Sequence, residues 1–290
     1  MTVMFNRVTI IGVGLIGGSI ARAMKKHKLC NDIVGYTRRE NEVKKAVALG
    51  VIDRYETSVA EAVNGADLVI IAVPMGAFES MFRQMVGAIS PDTVISDVGS
   101  AKSSVVDAAK NVFGVLPPGL VPAHPIAGTE KSGVEASFDS LFENRCTIVT
   151  PTELSSESAV SIVSNFWQAI GAEVVRMSPE HHDLVLAATS HLPHVLAFSL
   201  VDTLSHMQEH SEIFRFAAGG FRDFTRIASS DPTMWRDICL NNKDAILTSL
   251  KKYEEQLKKL EEAIAEQDGV KIEKIFSNAK NARDTHVIGG

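Results

Sequence analysis

The chain has 290 residues, enough for two domains of ordinary size, and its 45% hydrophobic and 22% charged residues are the make-up of a water-soluble globular protein. A formal net charge of −6 and the lack of any dense Lys/Arg tract give no footing for a nucleic-acid partner. Three widely spaced cysteines, Cys30, Cys146 and Cys239, argue against a disulfide framework or a CxxC metal site and for a reducing compartment. No apolar run approaches the ~20 residues that span a bilayer. The apolar N-terminal run has no basic region before it and no small-residue cleavage pattern after it, so it reads as a strand and not a signal peptide. A cytoplasmic enzyme or sensor without a membrane partner is expected.

The stretch Val8 to Arg22, VTIIGVGLIGGSIAR, organises the first half. Four β-prone residues run into Gly12, Gly14 and Gly17, and an apolar helical pattern opening at Leu15 and Ile16 follows, as in a dinucleotide-binding βαβ unit. Gly12 allows the turn, Gly14 lets backbone approach a pyrophosphate, and Gly17 lets helix and strand pack closely, with free N–H groups facing the anion. A second strand is expected over Asp32 to Tyr36, a helix from Asn41 to Leu49, and a short helix opened by the capping box Ser58/Glu61 and ending near Gly65. Asp67 to Val73, DLVIIAV, reads as a parallel strand buried on both faces and ended by Pro74. Val73 and Pro74, at the carboxyl end of that strand, are cofactor-site candidates. A helix over Phe78 to Ile89 and a strand over Thr93 to Asp97 follow, and the alternation continues to Glu173–Arg176. One doubly wound, mostly parallel sheet is expected.

At Ser178 the pattern changes. Ser178 as N-cap and Pro179 at the first helical position open a long helix, Asp231-Pro232 repeats the device for a second, and no convincing strand follows. The chain thus reads as a Rossmann-type dinucleotide-binding domain, 1–177, and an all-α substrate and dimerisation domain, 178–290. Ile246, Leu250, Tyr253, Leu257, Leu260 and Ile264 form an a/d stripe, which reads as a helical homodimer interface or, more plainly, as a helix packed on its own domain.

Ligands of open α/β sheets bind beyond the strands' carboxyl ends. After the second strand, Thr37-Arg38-Arg39 stands where an NAD-specific site would carry Asp or Glu, so NADP is allowed and favoured over NAD, a guanidinium clamping the 2′-phosphate. Arg38 could instead stack on adenine or face solvent. After Thr93–Asp97, Ser100 is a candidate contact to nicotinamide or substrate, or the N-cap of the next helix, and Lys102 reads as a solvated helix residue. His124, fixed between two prolines at a strand end beside the loop Gly128-Thr129-Glu130-Lys131, is the candidate acceptor for a hydroxyl proton as hydride leaves the same carbon. The helix from Ser178 carries His181, His182, His191 and His194, and Pro193 within it should kink it and aim the later two into a cleft. Metal binding is disfavoured, because HLPH has no carboxylate or thiolate at ligand spacing and His206 with His210 lack an HExxH frame. Those last two read as surface residues. Arg222 and Arg226, four apart, are candidate carboxylate clamps, one of which could pair with Asp223.

GVGLIGGS, DVGS, HPIAGTEKSG, SHLPH, GGFRDFTRIA and DPTMWRDI, in this order from about Val8 to Lys259, resemble the prephenate/arogenate dehydrogenases of tyrosine biosynthesis. That family pairs a nucleotide domain with a helical dimerisation domain and carries out NAD(P)-dependent oxidative decarboxylation of a cyclohexadienyl acid. The resemblance implies that His124 accepts a hydrogen bond from the C4 hydroxyl and that Ser100 orients this histidine and the nicotinamide. It implies that His194 and Arg226 hold the substrate, Arg226 through a carboxylate, that Thr129, Glu130 and His191 line or gate the pocket, and that Trp235 reaches toward the partner subunit's site. No metal is required. The stretch before Val8 leaves no room for a chorismate mutase domain, and that after Leu260 is expected to be too short for a regulatory domain, so feedback by tyrosine would act at the substrate site. Two other readings are a β-hydroxyacid dehydrogenase, which would want a lysine on the first long helix where this chain has none between His181 and Met207, and a non-catalytic NADPH sensor.

Overall fold

The computed structural model describes residues 3–129 and 131–286. The N-terminal half alternates strand and helix: β1 Phe5–Ile11, α1 Leu15–His27, β2 Cys30–Tyr36, α2 Glu40–Ala48, β3 Arg54–Tyr55, α3 Val59–Val63, β4 Leu68–Ile71, α4 Phe78–Met85, β5 Val94–Asp97, α5 Ser103–Phe113, β6 Ala123–Pro125, β7 Cys146–Val149, α6 Glu157–Ala169 and β8 Glu173–Arg176. Helices alone follow: α7 Pro179–Leu186, α8 Leu192–Ser205, α9 His210–Arg215, α10 Gly219–Thr225, α11 Pro232–Asn241, α12 Lys243–Ala265 and α13 Gly269–His286. This is a Rossmann-like parallel sheet flanked by helices, followed by a helical segment.

Five parallel strands run in the order β3-β2-β1-β4-β5, so the topological switch point lies between β1 and β4. Side-chain alternation builds both layers. Ile10, Leu68 and Ile70 face one core with α1 and α6, while Ile11, Val69 and Ile71 face another with α3, α4 and α5.

The single sheet expected from the sequence is in fact two. β6, β7 and β8 form a separate three-stranded sheet, β6 antiparallel and β8 parallel to β7, and only an isolated bridge between Ile95 and Leu120 joins it to β5. The reason is local. Val121 N–H still donates to Ile95 O at 2.8 Å, but Pro122 has no N–H, and the next amide, Ala123, donates at 3.2 Å to the Asp97 carboxylate instead of to a strand carbonyl.

The local signals are realised closely. Ser58, Ser178 and Asp231 cap α3, α7 and α11 by accepting from the N–H three residues on. Between α7 and α8, Ala187–His191 is a π-helical turn just before Pro193, which supplies the expected break in the helix.

The chain divides into two compact units, Met1–Lys243 and Asp244–Gly290. The change from α/β to all-α falls at residue 177, yet α7, α8 and α11 stay in the first unit because Trp235 and Ile238 sit in the second core layer with Phe78 and Ile95, and Phe198 packs against it. The run Pro179–Ser205 is 27 residues long with a mean hydropathy of 1.6 in its most apolar window, and only 22% of that window is buried. By length and composition this helix departs from the expectation that no apolar run approaches bilayer length. Thr189, Ser190, His191, Pro193, His194 and Ser199 interrupt its apolar stretch, and Glu180, Asp183 and Asp202 lie toward its ends.

Gly12, at φ +97°, and Gly17 fix the close approach at the first turn. A Cβ on Gly17 would lie 2.0 Å from Gly12 O and one on Gly12 would lie 2.2 Å from Ala72 O, both backbone atoms that cannot give way. Gly17→Ala should therefore lower the unfolding free energy by roughly 3 kcal/mol, read from the urea midpoint, and should cost nucleotide affinity in whatever folded protein remains.

Candidate active site

Two groups of residues lie beyond the carboxyl ends of the strands. The first lines a cleft of about 280 Å³ made by Gly12, Val13 and Gly14 after β1, Tyr36 to Arg39 after β2, and Ala72 to Pro74 after β4. Nothing would obstruct a Cβ on Gly14, so backbone is open to a ligand there, and α1 begins at Leu15 with no side-chain cap and no acidic residue in its first turn. Leu15 is buried and Ile16 packs against the core, so their side chains turn inward from this cleft. Arg39 is paired with Glu42 at 2.9 Å and Thr37 Oγ1 donates to Arg39 O at 2.8 Å. Of the two guanidinium groups expected here, only exposed Arg38 is uncommitted among the described residues. The residues fit the diphosphate and ribose of a dinucleotide.

The second group is built from β5 outward. Asp97 ends that strand and accepts from Gly99 N at 2.7 Å. Lys102 is completely buried, contrary to its expected solvation. Its Nζ forms an ion pair with Asp97 and donates to Ala123 O at 2.7 Å. Asp97 and Lys102 together hold both the N–H and the C=O of Ala123, the residue before His124. Burial pushes the Asp97 pKa up and that of Lys102 down, and their mutual attraction opposes both shifts.

His124 Nδ1 lies 2.9 Å from His182 Nε2, and His182 Nδ1 lies 2.8 Å from Asp183 Oδ1. Asp183 also accepts from the backbone N–H of Lys102 at 2.8 Å and of Ser103 at 2.9 Å, so it caps α5 across the fold. That is the cap expected of Ser100. Ser100 instead lies in the loop between β5 and α5, partly buried, with no side-chain bond to His124 among the described residues.

In the helical part, His191 is buried and its Nδ1 lies 3.0 Å from Asn242 Nδ2, which also donates to Asp183 O at 2.9 Å. An amide nitrogen can only donate, so His191 Nδ1 accepts and its Nε2 carries the proton. His194 stacks on Trp235 with ring centroids 3.6 Å apart and bonds Ser190 O through Nδ1 at 2.9 Å. Trp235 is buried, packed on His194 and in the core beside β5. Arg226 is exposed at the end of α10, and its charge reaches His194. Thr129 is exposed and bonds within its own loop to Lys131 N; Glu130 lies outside the described residues. Arg222 is exposed and makes no pair with Asp223 among the described residues. His181, His206 and His210 are exposed.

These imidazoles are held neutral. Burial, then repulsion from Lys102, His182 and His191, drives the His124 pKa well below its usual value. Burial lowers His182 despite Asp183, lowers His194 with help from Arg226, and lowers His191 to about 4. Burial works against the Asp183 carboxylate too, but bonds from His182, Lys102 N and Ser103 outweigh it and hold its pKa down. The arrangement offers a neutral imidazole, His124 of β6, whose Nδ1 is bonded to a second imidazole. Sequence reasoning missed Asp183, Asn242 and the buried role of Lys102, and gave His182 no role. The dipeptide His182-Asp183 in a first helical turn was the available signal.

Residues 20–176 match the family model of the prephenate dehydrogenase nucleotide-binding domain, and residues 178–278 that of the prephenate dehydrogenase dimerization domain. The chain belongs to the prephenate dehydrogenase family. It is 41% identical to a cyclohexadienyl dehydrogenase of Zymomonas mobilis over 98% of this chain and 96% of that one, and 41% identical to a prephenate dehydrogenase of Bacillus subtilis over 98% and 77%. Among solved structures, the prephenate dehydrogenase of A. aeolicus in complex with hydroxyphenyl propionate and NAD+ superposes with a TM-score of 0.91 at 37% identity, covering 98% of this chain and 99% of that one. The chain is an NAD(P)-dependent dehydrogenase of this family.

The buried histidines make stability depend on pH with a definite sign. Their folded-state pKa values lie below the unfolded value of about 6.5, so as pH falls the unfolded chain takes up protons first. Their contribution is complete above pH 6.5 and declines until the folded-state pKa is passed, near 4 for His191. For His191 alone that is roughly 3 kcal/mol. The urea midpoint of the wild type should fall steeply between pH 6.5 and 4, and His191→Asn, which keeps an acceptor for Asn242, should flatten that decline by about one proton's worth of slope.

Proposed function

We propose that the protein oxidatively decarboxylates prephenate, the keto acid, or its amino counterpart arogenate, with His124 as proton acceptor. The carrying observation is that His124 is held neutral at a strand end, its Nδ1 engaged by His182, so that Nε2 is the nitrogen left for substrate. A bound nicotinamide would supply the acceptor for the hydride of ring C4. As the hydride leaves, His124 Nε2 takes the proton of the C4 hydroxyl, the ring carboxylate departs as carbon dioxide, and the ring becomes aromatic. Arg226 clamps a substrate carboxylate, the stacked His194 and Trp235 form a wall against the ring, His191 donates through Nε2–H, and Ser100 and Thr129 complete the pocket. Exclusion of water around these partly buried imidazoles favours neutral forms and direct proton transfer.

Gly12, Gly14 and Gly17, the backbone of Leu15 and Ile16, and Thr37, Arg38, Val73 and Pro74 would hold NAD or NADP. Unpaired Arg38 and the lack of a carboxylate at Thr37 support acceptance of NADP, while Arg39 is committed to Glu42. Domain functions would divide near residue 177, the N-terminal part binding nucleotide and the remainder closing the substrate site and pairing subunits. Three free cysteines support a cytoplasmic setting.

The active-site test uses both substrates with both cofactors. His124→Asn should lower kcat by roughly 10²-fold or more with cofactor affinity unchanged; turnover close to wild type would overturn the assignment.

A homodimer through the helical part is supported by its exposed apolar side chains. Tyr253, Leu257 and Ile264 on the α12 stripe are 40%, 51% and 58% exposed, and the α7–α8 run is largely uncovered. Leu257→Glu combined with Ile264→Glu should convert a dimer to monomer in sedimentation at micromolar concentration; an unchanged dimer would remove this stripe from the interface.

A further inference from the structure

We propose that His182 and Asp183 are positioning residues that set the tautomer of His124, acting as a relay that places its single proton on Nδ1 and leaves Nε2 as the acceptor. This rests on the reading of His124 as the catalytic proton acceptor.

Proton parity along the chain of bonds carries the inference. Asp183 already accepts two backbone N–H groups, from Lys102 and Ser103, and an ionised carboxylate has no proton to give. His182 Nδ1, 2.8 Å away, must therefore be the donor. If His182 is neutral, its Nε2 carries a lone pair, and His124 Nδ1, 2.9 Å from it, must donate. A neutral His124 then has its lone pair on Nε2. A protonated His182 would reverse the last two bonds and turn His124 Nε2 into a donor, which cannot accept a hydroxyl proton. The surroundings decide between these states. His182 is fully buried, the buried Lys102 ammonium faces it from the start of α5, and the Asp97 and Asp183 charges only partly offset this. The neutral form is favoured.

Capping of α5 explains Asp183 but not His182. A cap needs only the carboxylate, and an apolar side chain of similar size at 182 would fill the same space without leaving two ring nitrogens to be satisfied. His182 has both nitrogens bonded, one on each side of the path from carboxylate to His124. The ring also packs edge-on against His124, centroids 5.1 Å apart at 62°, which fixes the plane of the acceptor as well as its protonation. This is the logic by which an outer-shell carboxylate orients a catalytic imidazole, extended by one more imidazole.

The test combines a spectroscopic signature with a kinetic one. In wild-type enzyme with ¹⁵N-labelled histidine at neutral pH, the signals lost in His124→Asn identify His124, and these should show Nδ1 protonated and Nε2 unprotonated. In His182→Phe, which keeps a ring but offers no acceptor, the proton should move to Nε2. There kcat should fall by roughly 10²-fold, with the Michaelis constant and cofactor affinity within about twofold of wild type. A wild-type His124 protonated on Nε2, or a folded His182→Phe enzyme with wild-type kcat, would overturn the relay. Should His182→Phe fail to fold, the wild-type tautomer decides alone. Loss of turnover in His124→Asn with full turnover in His182→Phe would refute the relay and leave the active-site reading standing; full turnover in His124→Asn would refute that reading instead.

Discussion

A buried ion pair holds the site together. Lys102 and Asp97 are withdrawn from water, and two charges there are tolerated only if nearly every donor and acceptor is used. Asp97 takes the N–H groups of Gly99 and Ala123 besides the ammonium, and Lys102 gives a further bond to Ala123 O. Between them they grip the peptide groups of Ala123. β6 is three residues long with a proline at its end, and it makes too few ladder bonds to fix its own position. The side-chain clamp replaces the strand neighbour that Pro122 excludes, and His124 is carried on the clamped segment.

The same short stretch joins the sheet to the helices. The backbone N–H groups of Lys102 and Ser103 bind the Asp183 carboxylate, so the start of α5 is capped by a side chain from α7. Asn242 bridges from beyond α11 back to Asp183 O and to His191. The parallel sheet and the helices that follow it are thereby fastened beside the segment that carries His124. This accounts for a compact unit that runs through to Lys243, well past the last strand.

Electrostatics follow from that packing. The Lys102 charge faces His124 and His182, and burial with repulsion from neighbouring charges lowers the pKa of these two and of His191. The same burial makes the protein sensitive to acid, since the unfolded chain takes up protons that the buried imidazoles resist.

The sequence by itself determined the local elements and the family. The GVGLIGG turn, the uninterrupted apolar strand at Leu68–Ile71, the caps at Ser58, Ser178 and Asp231 and the break at Pro193 are short-range signals, and the structure realises each of them. His124 stood out for the same reason, as a histidine between prolines after a strand. Only the tertiary structure decided the surroundings of that histidine. Buried Lys102 bonds Ala123 O across 21 residues, His182 meets His124 across 58, and Asp183 caps Ser103 across 80. Such bonds have no periodicity, since they depend on how sheets and helices stack. The division into two sheets and the stacking of Trp235 on His194 came from that same packing, because neither a proline's missing donor nor an aromatic ring specifies its neighbour until the chain is folded.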